Sequence, residues 1–551
     1  MTKIFGTWCS HDASYCLLQD GWPTRHDEFE RFLREKEPPG DAIKLAAEQL
    51  GWDELVSCEH FVTCAPWTNL TKWASESYRK LVGLVGPRWM SSFKIVGHHQ
   101  AHAAHAFYSS GFQDSLVVTL DGGGVEADGT ETACTAWIGK GTQLDHSVTV
   151  PLARFNVGGL WTRATRYIFK MQSGWPLGHQ AGTVMSMAAF GDPSRFRRDF
   201  TRMLTVDLFA ATHKPPNQPK GAYTGNDPVH PYLDKYGKIA QQSEQDAFDL
   251  AAGLQAATED YVRDALEGIM NLSEARPTNL CIAGGVALNC SMTEKIWKWF
   301  PFLENVYVPP VPYDGGLCIG AAQYVQHHVL GVPVPSAISN KERCFPFALG
   351  KTYDRAAIDA AIERFSDSVI VEACDDIRAI DMLADKKIVS VYGQGSESGR
   401  RALGNRSILA DPRDPEMKDK LNQRVKHRQS HRPYAPTVLR ENVNEWFERD
   451  ADSPYMSFAL KFREDQKNRV PSVVHTDGTG RAQTVKKEDC PWLHSFLSLW
   501  KEKSGVPVLI LTSYNDREPV VEDPNHAFDC FLRTEIDAVY FYDHGLLVTK
   551  R

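Results

Sequence analysis

Long apolar runs are missing from this chain of 551 residues. No stretch reaches the roughly 18 uninterrupted apolar residues that a membrane-spanning helix needs. The opening segment, MTKIFGTWCSHDAS, has a single lysine and no apolar run of the length found in signal peptides. The sequence therefore predicts a cytoplasmic protein without a membrane partner.

Cysteine pairs and an excess of positive charge are absent too. The twelve cysteines are scattered singly, and none forms the C-x-x-C pair that begins a zinc ribbon or a redox site. We expect most of them to be reduced and buried. A net charge of −8 argues against a chain that coats nucleic acid or an anionic membrane. No repeat or low-complexity tract occurs, so a repeat architecture is not predicted.

The length exceeds what one hydrophobic core usually organises, so two or more lobes are expected. In the first part, strand and helix patterns alternate as in α/β proteins, whose functional groups lie at strand ends. The predicted strands are the hairpin KIFGTWC and YCLLQDG, then SLVVTL ending at Asp121, TACTAWIG, TNLCIAGG and NVYVPP. The predicted helices are DAFDLAAGLQAATEDYVRDAL, the segment VALNCSMTEKIWKWF and LCIGAAQYVQHHVL.

A proline-bearing stretch without periodicity, residues 331–349, predicts a linker. We therefore place one domain at residues 1–345 and a second at residues 353–551. The second domain contains the predicted strands IVSVYG, VPVLILTSY, AVYFYD and LLVTK. Nothing in the sequence indicates the oligomeric state.

Two histidines in GHHQAHAAHAF have a spacing that suits a metal ion. His98 and His102 are four residues apart, which places both imidazoles on one face of a helix. Asp121 and Asp314 follow predicted strands and could complete a nitrogen and oxygen ligand set for iron(II), manganese or zinc. Ordinary surface or core histidines remain the alternative.

Glycine clusters accompany each candidate acid, at residues 122–124, 284–285 and 315–316. Glycines at strand-to-helix turns allow backbone N–H groups to approach a phosphate closely. For any single cluster, tight turns without a ligand are the better explanation, because glycine is common in turns. Three clusters beside candidate metal ligands favour the phosphate interpretation.

A basic window runs against the acidic balance of the chain. Residues 393–440 contain eleven Lys or Arg and five acids, mixed with Gly, Ser and Asn. This composition indicates a compact anion site, as phosphate recognition requires. A solvated helix face explains MKDKLNQRVKHR alone, but it explains RRALGNRS less well, because buried guanidinium groups need anionic partners.

Taken together, the motifs resemble those of the O-carbamoyltransferases of antibiotic and nodulation-factor biosynthesis. The resemblance runs from Gly6 to about Leu547, in one order. Its motifs are HHQAHAA, LDGGG, AGGVALN, PYDGGLCIGAA, RALGNRSILADPR, HRPYAPTVL, DGTGRAQTV and GVPVLILTSYN.

The resemblance implies an α/β N-terminal domain of the actin and sugar-kinase superfamily, a duplicated ribonuclease H-like fold, followed by an α+β YrdC-like domain. In such enzymes the YrdC-like domain makes carbamoyladenylate from carbamoyl phosphate and ATP, with Mg²⁺ as the companion of ATP. The N-terminal domain, which carries iron, then transfers the carbamoyl group to a small-molecule hydroxyl. Neither nucleic acid nor a membrane is an expected partner.

Residue roles follow from the same motifs. The resemblance implies metal ligation by His98, His102, Asp121 and Asp314. The carbamoyl nucleotide would lie near Gly122 and Gly123 and near the AGGVALN loop with Gly284, Gly285 and Asn289. In the activation site, the phosphates and carbamoyl group would be handled by Arg401, Lys426, Arg432, Arg481, Ser513 and Asn515.

Some positions depart from the family pattern. Gly395 stands where relatives commonly have Arg, Arg400 replaces a Pro, Thr183 replaces a Lys, and His105 occupies a frequent Ser position. Because these changes adjoin phosphate-handling segments, they concern contact details more than the reaction class.

Two roles remain open in the sequence. His11 and Asp12 are candidates for the general base that activates the acceptor, with turn capping as the alternative. Residues 205–241, rich in Pro, Gly, Asn and Tyr, could reach over the transfer site and select the acceptor, with a disordered surface loop as the alternative. Other function classes are a sugar-kinase-like phosphotransferase, a tRNA-type threonylcarbamoyl transferase, a hydrogenase-maturing relative and a non-catalytic binding protein.

Overall fold

The computed structural model describes residues 2–64, 75–171, 180–205, 230–272 and 277–551. The chain divides into two compact units. The first comprises Met1–Glu30 and Glu35–Lys341, and the second comprises Arg31–Arg34 and Glu342–Arg551. The division after Lys341 lies within the predicted linker, and the short segment Arg31–Arg34 is an addition to the predicted second domain.

Two five-stranded sheets of one topology form the core of the first unit. In each sheet, three antiparallel strands are followed by two strands that run parallel to the first of the three. The first sheet has the order β3-β2-β1-β4-β5 and the second the order β10-β9-β6-β7-β8. Their strands are β1 (Lys3–Trp8), β2 (Ser14–Gln19), β3 (Trp22–Glu28), β4 (His60–Cys64), β5 (Phe93–Val96), β6 (Asp114–Val125), β7 (Glu131–Lys140), β8 (Gln143–Pro151), β9 (Asn279–Ala283) and β10 (Asn305–Tyr307).

This repeated topology confirms the predicted fold class, a duplicated ribonuclease H-like arrangement. The predicted hairpin is β1 and β2, with Lys3 opposite Gln19. The parallel pairs β1–β4 and β6–β9 put the carboxyl ends of the strands at one edge of each sheet. Side chains that follow those ends therefore lie close together.

The strand that carries Asp121 differs from the prediction. It was expected to end at Asp121, whereas β6 continues to Val125. Between the pairs Leu120–Cys134 and Gly124–Thr132 the register against β7 shifts, so Asp121 lies in a bulge instead of a strand-to-helix turn. The glycines permit this bulge, since Gly123 has a φ of 140°, which a side chain would disfavour.

Two helices of the first unit cross from one sheet to the other. The histidine helix, His98–Ser110, follows β5 but packs on β6, β7 and β9. The helix Leu317–Gln323 follows β10 but packs on β1, β2 and β4. The two helices also pack together at Gly320, where a Cβ atom would lie 1.9 Å from the carbonyl oxygen of Ala101. This close crossing brings the histidine helix beside the turn of Asp314.

Further helices lie between residues 29 and 341. The predicted long helix is confirmed as Glu244–Leu272. Of the segment 205–241, residues 206–229 lie outside the described residues, and His230–Ala240 is a helix. The remaining helices are Phe29–Leu33, Ala42–Leu50, Trp52–Val56, Glu76–Val85, Trp89–Ser92, Val157–Arg163, Ala181–Met187, Arg197–Thr205, Cys290–Trp299 and Ser336–Ser339.

The second unit is a mixed eight-stranded sheet with helices, which confirms the predicted α+β class. Its order is β11-β20-β19-β12-β13-β18-β14-β17. The strands are β11 (Val369–Ala373), β12 (Val389–Tyr392), β13 (Arg406–Ala410), β14 (Ala435–Leu439), β17 (Gln483–Val485), β18 (Val508–Ser513), β19 (Ala538–Phe541) and β20 (Leu546–Lys550), with β15 (Ala459–Lys461) and β16 (Thr479–Arg481) as a separate pair. The helices are Arg355–Arg364, Asp376–Ala384, Met417–Lys420, Val443–Trp446, Pro491–Ser504 and Pro524–Arg533.

The predictions about the cysteines and about membrane-spanning helices can be compared with the structure. All twelve cysteines are free thiols, and most are buried. Among the described residues, no helix is both long and apolar enough to cross a membrane.

Candidate metal centre and phosphate site

Four side chains converge in the first unit as the sequence predicts. His98 and His102 lie one turn apart on the histidine helix, Asp121 lies in the β6 bulge, and Asp314 begins the turn after β10. One ligand atom from each lies within 4.8 Å of the other three, and all four residues are buried. Nε2 of His98 is 3.0 Å from Asp121 Oδ2, and Nε2 of His102 is 3.4 Å from Asp314 Oδ1.

The donor set fits a divalent transition metal. Within the part of the chain that the structure describes, the buried Nε2 of His102 makes no hydrogen bond in good geometry, although two carboxylates lie nearby. Two imidazoles and two carboxylates within this span form the mixed nitrogen and oxygen set that iron(II), manganese and zinc accept. A cation at the centre of these four atoms would take this Nε2 as a ligand.

The electrostatics of the group point the same way. Burial alone would lower the pKa of His102, but Asp121 and Asp314 raise it to about 9. Burial alone would raise the pKa of Asp121, but His102 and His98 hold it well below its usual range. The carboxylates therefore stabilise positive charge here, whether it is a proton or a metal ion.

Backbone groups of the glycine loop after β9 hold both acids. The N–H of Gly285 donates to Asp121 Oδ1 at 2.9 Å, which leaves Oδ2 facing the histidines. The N–H of Gly284 donates to the carbonyl of Pro312 at 2.7 Å, two residues before Asp314. Gly124 is required on the other side, because a Cβ atom there would lie 2.2 Å from the His98 ring.

The predicted nucleotide-binding residues of this unit have identifiable local roles. Asn289 caps the helix Cys290–Trp299 by accepting from the N–H of Met292 at 3.1 Å, and its amide pairs with that of Gln255. Gly122 lies against the backbone of Gly158. A Cβ atom on Gly158 would lie 2.5 Å from the Gly122 nitrogen. The nucleotide contacts of Gly122, Gly123, Gly284, Gly285 and Asn289 stay predictions.

In the structure, His11 and Asp12 lie beside the candidate metal centre. Nε2 of His11 is 3.3 Å from Asp314 Oδ2, and its Nδ1 is 3.1 Å from Asp12 Oδ2. Partial desolvation opposes protonation of His11, whose side chain is 43% exposed, but the charge of Asp314 and the contact with Asp12 raise its pKa to about 10. Asp12 has a φ of 57°, an uncommon conformation for a residue other than glycine. The indole N–H of Trp8 donates to the carbonyl of His11 at 2.7 Å and steadies this turn.

In the second unit, three of the predicted activation residues form one cluster. The Lys426 ammonium donates to the carbonyl of Ser513 at 2.6 Å, and to the Asn515 carbonyl and Oδ1 at 2.8 and 2.7 Å. Burial holds the pKa of Lys426 well below its usual range. The lysine thus ties the end of β18 to the basic window.

Arg432 and Arg481 belong to a second group of cations. Burial, together with the charges of Arg428 and Arg481, lowers the pKa of Arg432 to about 9. Burial and the charges of Arg481 and Lys418 lower the pKa of His475 to about 4, against the opposing charge of Asp477. Mutual repulsion at this density favours a bound anion. Arg401 is half-buried in the loop before β13.

Sequence reasoning did not single out Lys418, Arg428 and His475. Lys418 and Arg428 belong to the basic window, so their charge was visible there, but not their place beside Arg432. His475 lies two residues before the DGTGRAQTV motif and has no local pattern of its own.

Comparison with known proteins places the chain in a family. The family model for the carbamoyltransferase N-terminus matches residues 75–323, and the model for the carbamoyltransferase C-terminus matches residues 380–549. Because these matches span more than half of the chain, it belongs to the carbamoyltransferase family. The enzyme class predicted from the motifs is confirmed.

The curated relatives agree with the family. The nodulation protein NolNO of Sinorhizobium fredii is 32% identical over 84% of this chain and 64% of its own length. The nodulation protein NolO of Bradyrhizobium diazoefficiens is 32% identical over 81% of this chain and 77% of its own length. This chain therefore spans less than two thirds of NolNO. HypF from T. kodakarensis matches with 13% identity and a TM-score of 0.33 over 61% of this chain and 49% of its own, a likeness too low to carry an argument.

A buried histidine one turn beyond the ligands predicts a pH effect on stability. Burial lowers the pKa of His105 from 6.5 to about 3, so the folded protein keeps this ring neutral while the unfolded chain protonates it below pH 6.5. The free energy of unfolding therefore falls as the pH drops, by about 2 kcal/mol at pH 5 for this residue. In His105→Ser that loss should be absent.

Denaturant unfolding of wild type and His105→Ser at pH 7 and pH 5 measures this difference. The change in unfolding free energy between the two pH values should be smaller in the variant by about 2 kcal/mol. An equal change in both proteins would contradict the assignment. Because the comparison is between pH values, any general loss of stability in the variant cancels.

Proposed function

We propose that this chain is an ATP-dependent O-carbamoyltransferase. The second unit converts carbamoyl phosphate, ATP and water into carbamoyladenylate, pyrophosphate and phosphate. The first unit then passes the carbamoyl group to a hydroxyl of a small natural product and releases AMP. The single observation that supports this division is the presence of two different sites in a carbamoyltransferase chain: a buried group of candidate metal ligands in the first unit and a cluster of half-buried cations in the second.

Activation needs positive charge around phosphates. Carbamoyl phosphate is a poor donor because nitrogen stabilises its carbonyl carbon, whereas carbamoyladenylate has a leaving group that the protein can hold. Arg432, Arg481 and Arg401 would neutralise the phosphate charge that develops as pyrophosphate leaves, with Mg²⁺ bound to ATP. Lys426 would hold Ser513 and Asn515 in place for the carbamoyl group through its hydrogen bonds.

Transfer would take place at the centre of the first unit. His98, His102, Asp121 and Asp314 would hold iron(II), or manganese or zinc in its place. When bound, such an ion supplies Lewis-acid stabilisation of the carbamoyl carbonyl or the nucleotide phosphate. The chain's own residues orient the donor, and the glycine loop at residues 284–285 keeps Asp121 turned towards the histidines.

His11 would accept the proton of the acceptor hydroxyl at Nε2. Asp12 holds the opposite ring nitrogen and so sets the orientation of the imidazole. A base needs a pKa near the working pH, and the value of about 10 reflects mainly the charge of Asp314 against the opposing effect of enclosure. Neutralisation of Asp314 would return the pKa of His11 towards its ordinary range.

The products formed from ATP test this function. Purified protein with ATP, Mg²⁺ and carbamoyl phosphate should release pyrophosphate, with and without candidate hydroxyl acceptors. ADP in place of pyrophosphate would favour a sugar-kinase-like phosphotransferase. Pyrophosphate release that depends on tRNA would favour a threonylcarbamoyl-type relative. No cleavage of ATP under any of these conditions would leave a binding protein as the better description.

A further inference from the structure

Three buried side chains of the first sheet form hydrogen bonds with the residues on either side of Asp314. Ser14 Oγ donates to the carbonyl of Gly315 at 2.9 Å, and His26 Nε2 lies 2.9 Å from the same oxygen. On the other side of Asp314, the Tyr313 hydroxyl donates to Glu28 Oε2 at 2.6 Å. Ser14, His26 and Glu28 are at most 3% exposed.

This turn has little local structure of its own. Asp314–Gly316 is a single short 3₁₀ turn, closed by the Gly316 N–H to the Tyr313 carbonyl at 2.9 Å. Two glycines follow Asp314, so the backbone has more conformational freedom than other residues would leave it. The direction of the Asp314 carboxylate therefore depends on contacts made by the neighbouring residues.

Those contacts come from both sheets. Gly284 after β9 ties the carbonyl of Pro312, as described above, and β2 and β3 supply Ser14, His26 and Glu28. Both lone pairs of the Gly315 carbonyl are engaged by donors from the first sheet, although Asp314 itself follows a strand of the second. A shift of this turn would move Asp314 Oδ1, which lies 3.4 Å from His102 Nε2 and 3.6 Å from His98 Nε2.

We propose that Ser14, His26 and Glu28 are positioning residues that set the metal affinity of the centre by holding Asp314 towards the histidine helix. This inference rests on the proposed metal centre. The three residues bond to Tyr313 and Gly315, on either side of the ligand, so they act through the turn. Hydrogen-bonding groups of this kind behind a ligand typically change metal affinity by about 10- to 100-fold.

The test is the affinity for Co²⁺, measured by competition with a chromophoric chelator, together with the visible absorption spectrum of the Co²⁺ protein. Ser14→Ala, His26→Leu and Tyr313→Phe should each weaken binding by about 10- to 100-fold and alter the spectrum. His26→Gln should restore both, because its amide N–H can replace Nε2 as the donor to Gly315.

The matched control is His327→Leu. His327 is also buried in the first unit, and its Nδ1 lies 2.7 Å from the carbonyl of Val332, away from the ligands. Its loss should lower stability without changing the affinity or the spectrum. If His26→Leu fails to fold, Ser14→Ala and Tyr313→Phe decide, since each removes one oxygen atom.

The outcomes distinguish a failure of the metal centre from a failure of the positioning role alone. A folded wild-type protein that binds no Co²⁺ would refute the metal centre and this proposal with it. A wild-type protein that binds Co²⁺, with folded Ser14→Ala and Tyr313→Phe variants of equal affinity and spectrum, would overturn the positioning role alone.

Discussion

Replacing His102 by alanine is expected to remove the metal from this protein. Purified wild-type protein should hold about one transition-metal ion per chain, because four ligand atoms lie within 4.8 Å of one another. Loss of a direct ligand should reduce affinity by more than the roughly 100-fold that outer hydrogen bonds contribute. Elemental analysis after dialysis measures the occupancy of wild type, His98→Ala and His102→Ala.

His105→Ser serves as the control for this experiment. His105 lies on the same helix, is equally buried, and contacts Gln323 and Ser109 instead of an acid. Its metal content should match that of wild type. If His98→Ala and His102→Ala also retain wild-type metal content, the ligand assignment is wrong.

Arginine substitutions in the second unit should separate the two half-reactions. Arg481→Ala or Arg401→Ala should reduce pyrophosphate release by about 100-fold or more, as expected when a charge that stabilises the transition state is removed. Transfer from supplied carbamoyladenylate should persist in both variants. His102→Ala should show the reverse pattern, with pyrophosphate released and transfer lost.

Arg440→Ala is a matched control in the same unit. Arg440 already pairs with Asp450 at 2.6 Å and also contacts Asp452, so its charge is neutralised within the protein. Neither half-reaction should change. If folded Arg481→Ala, Arg401→Ala and His102→Ala proteins each lose both activities, one shared site becomes the better model.

The two sites use charge in opposite ways. In the first unit, carboxylates outweigh burial and hold the pKa of His102 at about 9, so the centre attracts a cation. In the second unit, burial and like charges lower the pKa of Arg432 to about 9. A bound anion would therefore reduce the repulsion among these cations. These environments support the proposal of a metal-dependent transfer step in the first unit and a phosphate-dependent activation step in the second.

Sequence motifs were sufficient to identify the four residues of the candidate metal centre, but not the groups that hold them in place. The spacing of His98 and His102 follows from helix periodicity alone. Asp121 and Asp314 were visible because acids beside glycines follow strand patterns. Ser14, His26 and Glu28 carry no such pattern, since their partners are almost 300 residues away in the sequence.

Local sequence patterns therefore predicted the fold class of the first unit and the candidate site residues. Long-range packing determined how the side chains of the site are held. Hydrophobic periodicity and strand-ending glycines act over a few residues, so they predicted the α/β class of the first unit and the candidate ligand types. The α+β class of the second unit was implied by the family motifs. Only the tertiary structure decided that Asp121 lies in a bulge, because register depends on the partner strand β7. The tertiary structure also places His11 beside Asp314 and brings side chains of the first sheet into contact with the Asp314 turn. Both contacts depend on the two helices that pack against the opposite sheets.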